Sequence, residues 1–256
     1  MKVADKIVVV TGGGSGIGKS LAERFAKDGA KKVIVADLNG EAAQAVAKSI
    51  DGHAVQIDVS KESEIQQLID NVENDFGPID LFCSNAGILR RGGLETPDKD
   101  WDIMMKVNVW SHLYAARHLV PKMAKRGGGY FLNTASAAGL LTQIGSVTYS
   151  VTKHAAVSLA EWIAITYGHQ GIKVSVICPQ AVRTGMTAGG QGGVAGIDGM
   201  LEPDFVADVV TEALDEERFM ILPHKEVAKY FQNKANDYDR WLNGMRRLQD
   251  RFLPKS

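Results

Sequence analysis

Short unbroken apolar runs alternate along the chain with longer stretches in which apolar positions recur every three to four residues. Lys6–Thr11, Lys32–Asp37, His53–Ile57 and Ile79–Ser84 are of the first kind, and Gly16–Asp28, Gly40–Ile50 and Lys61–Asp75 between them are of the second. The runs are rich in β-branched residues, as in Ile7-Val8-Val9-Val10 and Val33-Ile34-Val35, so both faces of each predicted strand are apolar. Parallel strands covered by helices on both sides need that pattern, whereas a sheet with one wet face would alternate. The βαβ series predicts a doubly wound sheet. It continues with a long helix over Trp101–Lys125, a strand over Tyr130–Ala135 and a helix over Thr148–His169. A strand over Lys173–Cys178, stopped by Pro179, a helix over Pro203–Leu214 and a strand over Phe219–Leu222 bring the count to seven strands.

No repeat and no Pro/Ser-rich linker divides the 256 residues, so one domain over 1–256 is expected. Two segments stand apart. Residues 185–201 form a glycine-rich stretch, read as a mobile loop facing the substrate. Residues 223–256 place Val227, Tyr230, Phe231, Tyr238, Trp241, Leu242, Met245, Leu248 and Phe252 near helical spacing, which predicts one or two amphipathic helices. That tail carries eight basic and four acidic residues. A basic amphipathic helix suits a membrane surface; docking of its aromatic face on the same or a neighbouring subunit is the simpler expectation. The whole chain has 29 basic and 30 acidic residues, so no global field draws it to nucleic acid. Cys83 and Cys178 have no zinc or disulfide spacing, and the six histidines form no metal-ligand pattern, so no metal is expected. The start lacks a signal-peptide apolar core, and no apolar run approaches the ~18 residues of a membrane span. A cytoplasmic protein follows from these expectations.

Between the first strand and first helix stands Thr11-Gly-Gly-Gly-Ser-Gly-Ile-Gly18. With 27 glycines in the chain, the glycine spacing alone would arise about 0.3 times by chance, so its strand-turn-helix context gives it meaning. There Gly12 permits a sharp turn, Gly16 a close approach to a pyrophosphate, and Gly18 tight packing of helix on strand, while the helix N-terminus attracts an anion. A Rossmann-type sheet is thereby expected. Asp37 closes the second strand, where a carboxylate accepts hydrogen bonds from ribose hydroxyls and repels a 2′-phosphate. Ser15 and Leu38 supply no compensating cation, so NAD is expected over NADP; a helix-cap role competes for Asp37, with Asn39 as a rival cap. Asp58 and Val59, after the third strand, flank the expected adenine position, and an N-cap role competes for Asp58.

Tyr149 and Lys153 are four residues apart on one predicted helix face. A phenol near pKa 10 is a poor base at neutral pH, but a neighbouring ammonium and an oxidised nicotinamide both favour the phenolate. Ser136, at the end of the preceding strand, brings a hydroxyl toward the same point, so that Ser136 and Tyr149 can share one substrate oxygen.

With these residues in family order from Thr11 to Thr184, the chain resembles the compact branch of the short-chain dehydrogenase/reductase family. The resemblance implies that Gly12, Ser15, Gly16, Ile17 and Gly18 belong to the phosphate loop and that Asn85, Ala86 and Gly87 match its Asn-Asn-Ala-Gly segment, with Ser84 replacing the first asparagine. It implies that Asn108 holds a water near the catalytic lysine, and that Pro179, Val182 and Thr184 orient the nicotinamide, with Gln180 departing from a family glycine. It further implies that Lys153 fixes the nicotinamide ribose, that Tyr149 exchanges the proton of a secondary alcohol as hydride passes to NAD, and that Asn108, a water and Lys153 relay the proton outward. The tail departs from relatives that end soon after a last strand with a glycine pair.

The substrate is expected from Leu89–Leu94, Ala138–Ile144 and the glycine-rich loop. Leu140, Leu141, Ile144, Met186 and Ile197 point to a small or medium hydrophobic alcohol or ketone, with Gln143 adding an amide; Arg90 and Arg91 are candidates for a substrate carboxylate or for ordinary solvated arginines. A homodimer or homotetramer is expected. An NADPH-dependent ketoreductase and a non-catalytic dinucleotide sensor presenting its tail are the competing functions, and Asn108, Ser136, Tyr149 and Lys153 together argue against the sensor.

Overall fold

The computed structural model describes residues 1–188 and 190–253. Gly189 of the glycine-rich segment and residues 254–256 of the tail lie outside the described residues. Seven strands form one parallel sheet in the order β3-β2-β1-β4-β5-β6-β7: β1 (Ile7–Thr11), β2 (Lys32–Asp37), β3 (His53–Gln56), β4 (Leu81–Ser84), β5 (Gly129–Thr134), β6 (Ile172–Ile177) and β7 (Met220–Ile221). The expected seven strands are present, and every pairing is parallel.

Successive strand residues face opposite helix layers. Ile7, Val9, Phe82 and Phe131 meet α3 (Glu62–Asp75), α5 (Ser111–Lys125) and α7 (Val147–Tyr167). Val8, Val10, Leu81 and Leu132 meet α1 (Gly16–Lys27), α2 (Gly40–Ser49) and α8 (Pro203–Asp215). Burial of both faces is what the unbroken apolar runs required. The strand order reverses between β1 and β4, and the carboxyl ends of the strands at such a reversal are the usual ligand position in a doubly wound sheet.

The helix expected over Trp101–Lys125 begins earlier and is not continuous. It comprises α4 (Asp98–Met105), a π-helical turn at Lys106–Trp110, and α5. Such turns are frequent at functional positions, and this one carries Asn108. A short helix α6 (Ala138–Leu141) follows β5.

The tail forms two helices, α9 (Glu226–Asn236) and α10 (Tyr238–Phe252), separated by Asp237, whose side chain caps α10 by accepting from Arg240 N at 2.9 Å. Among the described residues no helix is long and apolar enough to cross a membrane. The segment expected to be a mobile loop is tied back at several points. Ala181 N donates to Ala195 O, Leu201 N to Ala181 O, and the Asp198 carboxylate accepts from both Gln180 Nε2 and Tyr230 Oη, at 3.0 and 2.9 Å.

Candidate active site

Gly12 turns the chain out of β1 with φ of +63°, and a methyl group there would lie 2.9 Å from Ala86 Cα. Only glycine lets this turn and the segment leaving β4 come so close. At Gly18, in the first turn of α1, a methyl group would overlap the Gly12 carbonyl and lie 2.5 Å from Asn85 Nδ2. Gly16, with φ of +51°, faces Thr184, whose Cγ2 would be 2.9 Å from an added methyl. Ser15 is the exposed N-cap residue of α1, yet its hydroxyl caps nothing and the first turn holds no acidic residue. The amides of that helix end are left for an anion. Ile17 packs half-buried against the apolar layer beneath.

Asp37 accepts from Gly14 N through Oδ2 and from Asn39 N through Oδ1, both at 2.9 Å. The cap of α2 is Asn39, which accepts from Ala42 N at 3.0 Å. Asp37 therefore braces the glycine loop, and its carboxylate retains about two of its four acceptor positions for hydroxyl donors. Asp58 is held by its own turn. Its Oδ1 accepts from Ser60 N at 3.0 Å and Oδ2 lies 3.7 Å from Lys61 Nζ, while Lys61 occupies the N-cap position of α3. Burial raises the Asp58 pKa, but the Ser60 hydrogen bonds and the Lys61 ammonium together outweigh it and the net shift is downward. Val59 is buried among the core residues around Ile57 and Ile65.

The Asn85 amide is engaged on both sides. Its Nδ2 donates to Thr11 O at 3.0 Å and its Oδ1 accepts from Thr134 Oγ1 at 3.0 Å. Asn85 N and Ala86 N both donate to Thr11 Oγ1, at 3.0 and 3.2 Å. The amide stitches the ends of β1, β4 and β5 together, so it shapes the crevice from within. Thr11 and Thr134 complete this brace. Neither was singled out from the sequence, because a threonine ending a strand carries no distinctive signal.

Asn108 is fully buried, at 0% exposure. It pairs with the backbone of Ile88 in both directions, Oδ1 accepting from Ile88 N and Nδ2 donating to Ile88 O, each at 2.9 Å. Nδ2 also donates to Thr152 Oγ1 at 3.2 Å, beside Lys153 in sequence. The side chain thus holds segment 87–88 against α7. A methyl at Gly87 would lie 3.4 Å from Lys153 Nζ and 3.5 Å from Asn108 Oδ1, so three segments meet at this point.

Lys153 is 2% exposed, donates to Thr134 O at 2.9 Å, and has Nζ 5.5 Å from the centre of the Tyr149 ring. Burial pushes its ammonium down to about 8. For Tyr149 the expected lowering does not arise from the protein alone: loss of hydration pushes the phenol above its ordinary value, and the adjacent Ser136 hydroxyl only partly opposes it. Ser136 is oriented by accepting from Ala138 N at 3.1 Å and donating to Pro179 O at 3.3 Å. Beneath lies Cys178, whose thiol is pushed up to about 12 by burial and is therefore inert.

The 179–184 segment runs past this group. Gln180 replaces the glycine of the family pattern without a left-handed backbone; its N donates to His224 Nδ1 at 3.1 Å. Val182 bridges to Leu201, and Thr184 caps the short turn Gly185–Thr187. Met186, on that turn, is 46% exposed and lies outside the lining of the cavity described next.

A cavity of about 590 Å³ opens in front of Ser136. Leu141, Gln143, Val194 and Ile197 line one side, as the sequence led us to expect for Leu141, Gln143 and Ile197. The other side was missed: Tyr230 and Asn233 of α9, and Trp241, Met245 and Leu248 of α10. The helical spacing of these apolar residues was visible, but not the surface they cover. The tail docks on its own chain.

The short chain dehydrogenase family pattern matches residues 6–191. The 1-deoxy-11-beta-hydroxypentalenate dehydrogenase of Streptomyces exfoliatus is 32% identical over 93% of this chain and 90% of its own. The 3beta-hydroxysteroid dehydrogenase 2 of Eggerthella lenta is 36% identical over 73% of this chain and 75% of its own. A short chain dehydrogenase/reductase from Burkholderia phymatum, solved in complex with NAD, superposes with a TM-score of 0.85 at 28% identity, over 93% of this chain and 96% of the other. With sheet order, glycine turn and the Ser136, Tyr149 and Lys153 group in agreement, the chain belongs to the short chain dehydrogenase family of oxidoreductases.

Proposed function

We propose that this protein interconverts a secondary alcohol and its ketone with NAD(H), using Tyr149 as general acid and base. The observation that carries the reading is the meeting of Ser136, Tyr149 and Lys153 in one group: Lys153 Nζ stands 5.5 Å from the Tyr149 ring, and Ser136, next to the phenol, lines the cavity.

The residues present suit a dinucleotide. The uncapped start of α1 and the Gly12–Gly18 turn would hold its pyrophosphate, Asp37 its adenosine ribose, and Lys153 with Val182 and Thr184 its nicotinamide end. When bound, the nicotinamide supplies the hydride acceptor and, oxidised, a positive charge beside the phenol. Lys153 is charged below a pH of about 8 and favours the phenolate from the other side. The Ser136 hydroxyl, held to Pro179 O by a bond of only 3.3 Å, can turn to the substrate oxygen while Tyr149 takes the alcohol proton. Asn108 keeps the floor beneath Lys153 in place through Ile88 and Thr152.

The relatives named above act, by name, on a hydroxypentalenate and a hydroxysteroid, and a cavity of about 590 Å³ accommodates a medium hydrophobic alcohol. The Asp37 carboxylate favours NAD over NADP, since a 2′-phosphate would face its charge. A sensor that only bound the dinucleotide would gain nothing from burying an uncompensated ammonium beside a phenol. The proposal includes a cytoplasmic homo-oligomer. Trp162, 57% exposed, and Ile165, 81% exposed, give α7 an apolar outer face suited to a second copy. The test is a panel of secondary alcohols with NAD and NADP, followed by nicotinamide absorbance, on wild type and Asp37→Ala. NAD-linked oxidation, with NAD affected more than NADP by the substitution, supports the reading; equal losses remove the cofactor assignment, and no turnover of any alcohol or reverse ketone removes the activity.

A further inference from the structure

The far wall of the cavity is one face of α10, formed by Arg240, Trp241, Gly244, Met245, Arg247 and Leu248. These positions share a side of the helix by their spacing, and two of them are guanidiniums. Arginine ion pairs among the described residues involve Arg24, Arg90, Arg117, Arg126, Arg183 and Arg218. Arg240 and Arg247 form none among the described residues. Asp237 borders the same cavity, but its side chain caps α10 at Arg240 N, where the helix dipole offsets its charge. The cavity therefore has a reactive end at Ser136, an apolar middle at Leu141, Val194 and Ile197, and a wall with an excess of positive charge.

That wall is fixed relative to Ser136 by the chain itself. Lys234 of α9 is buried, donates to Leu140 O of α6 at 2.6 Å, and has Nζ 4.8 Å from the ring centre of Trp241. The other candidates for a substrate carboxylate, Arg90 and Arg91, lie outside the cavity lining, and Arg90 has Nε 3.7 Å from Asp100 Oδ1. A neutral substrate would displace water from Arg240 and Arg247 without replacing its hydrogen bonds, whereas a carboxylate matches the planar donor fork of arginine.

We propose that the substrate is a secondary alcohol or ketone bearing a carboxylate remote from the reacting carbon, held by Arg240 and Arg247. This rests on the dehydrogenase reading of the same site. The test compares 9-hydroxydecanoate with its methyl ester as NAD-linked substrates, and in parallel measures calorimetric binding of decanoate and decanamide to the NAD-loaded protein. The acid should exceed the ester by about tenfold or more in kcat/KM, the range for a charge-assisted hydrogen bond. Arg240→Met and Arg247→Met should erode that ratio chiefly through KM and weaken decanoate binding. Arg246→Met, whose arginine donates to Asn243 Oδ1 at 2.8 Å away from the cavity, serves as control and should leave the ratio as it is. Turnover of the ester as well as the acid, or equal binding of decanoate and decanamide, would overturn the carboxylate site while leaving the dehydrogenase standing. Binding of decanoate that depends on Arg240 and Arg247, with neither alcohol oxidised, would support the site and count against the dehydrogenase.

Discussion

Gly18→Ala places a methyl group against the Gly12 carbonyl and 2.5 Å from Asn85 Nδ2, and neither neighbour is a flexible side-chain end free to swing away. Asn85 is fastened to Thr11 and Thr134, and the Gly12 carbonyl belongs to the turn that shapes the crevice. The first turn of α1 must retreat, at the cost of about 1–3 kcal/mol usual for overpacking. Alanine's better helix propensity returns up to about 1 kcal/mol. The net loss is up to about 3 kcal/mol, and each kcal/mol corresponds to a fall in Tm of roughly 2–4 °C for a chain of this size. Displacing the turn also moves the amides that would hold the pyrophosphate, so NAD affinity should fall by about tenfold or more. Gly185→Ala is the control, because an added methyl there meets nothing within 4 Å; it should be neutral or stabilise by up to about 1 kcal/mol. Thermal unfolding with a fluorescence titration of NADH measures both effects. A Gly18→Ala protein with wild-type Tm and wild-type affinity would refute the packing argument.

Three other substitutions test separate parts of the site. Lys153 has its pKa pushed down from 10.5 to about 8 by burial, so below pH 8 the folded protein bears the full cost of an ammonium that the unfolded chain hydrates freely. Between pH 8 and 10.5 the folded state loses that proton first, and stability from this group rises with pH. Lys153→Met should therefore stabilise the protein at pH 7 by about 1–3 kcal/mol, with the gain shrinking toward pH 10; urea denaturation at the two pH values would contradict this if the variant were the weaker at pH 7. Asn85→Ala leaves Thr11 O and Thr134 Oγ1 without a partner and should cost about 1–3 kcal/mol together with NADH affinity; an unaltered titration would show that the brace does not shape the crevice. Lys234→Met removes the tie from α9 to Leu140 O and the contact with Trp241, so amide exchange across 226–252 should quicken and KM rise. Unchanged exchange would mean that the tail is held by other contacts.

The sheet was legible because its central strands are apolar on both faces, and both faces are buried; the edge strand β3 is half-exposed. Gly12 and Gly18 were legible because the close approaches they permit tolerate no other residue. Asn108 was found, but not its setting: the π-helical turn inside an otherwise helical stretch leaves the apolar spacing nearly intact. The bracing role of Asn85 went unseen for a different reason. A side-chain amide can face a ligand or the backbone, and only the positions of Thr11 and Thr134 decide which. The acidity of Tyr149 depends on burial, which local sequence does not report. The tail showed its amphipathic period, whereas its docking over Ser136 depends on Lys234 meeting Leu140, 94 residues away.

The most direct test of the central claim is the turnover of Tyr149→Phe with a substrate oxidised by the wild type, measured alongside NADH binding. Loss of the phenolic oxygen should lower kcat by about 100-fold or more, the range for general acid–base catalysis, while coenzyme affinity stays close to that of the parent. Equal turnover by the two proteins would contradict the assignment of Tyr149 as the proton-transferring group.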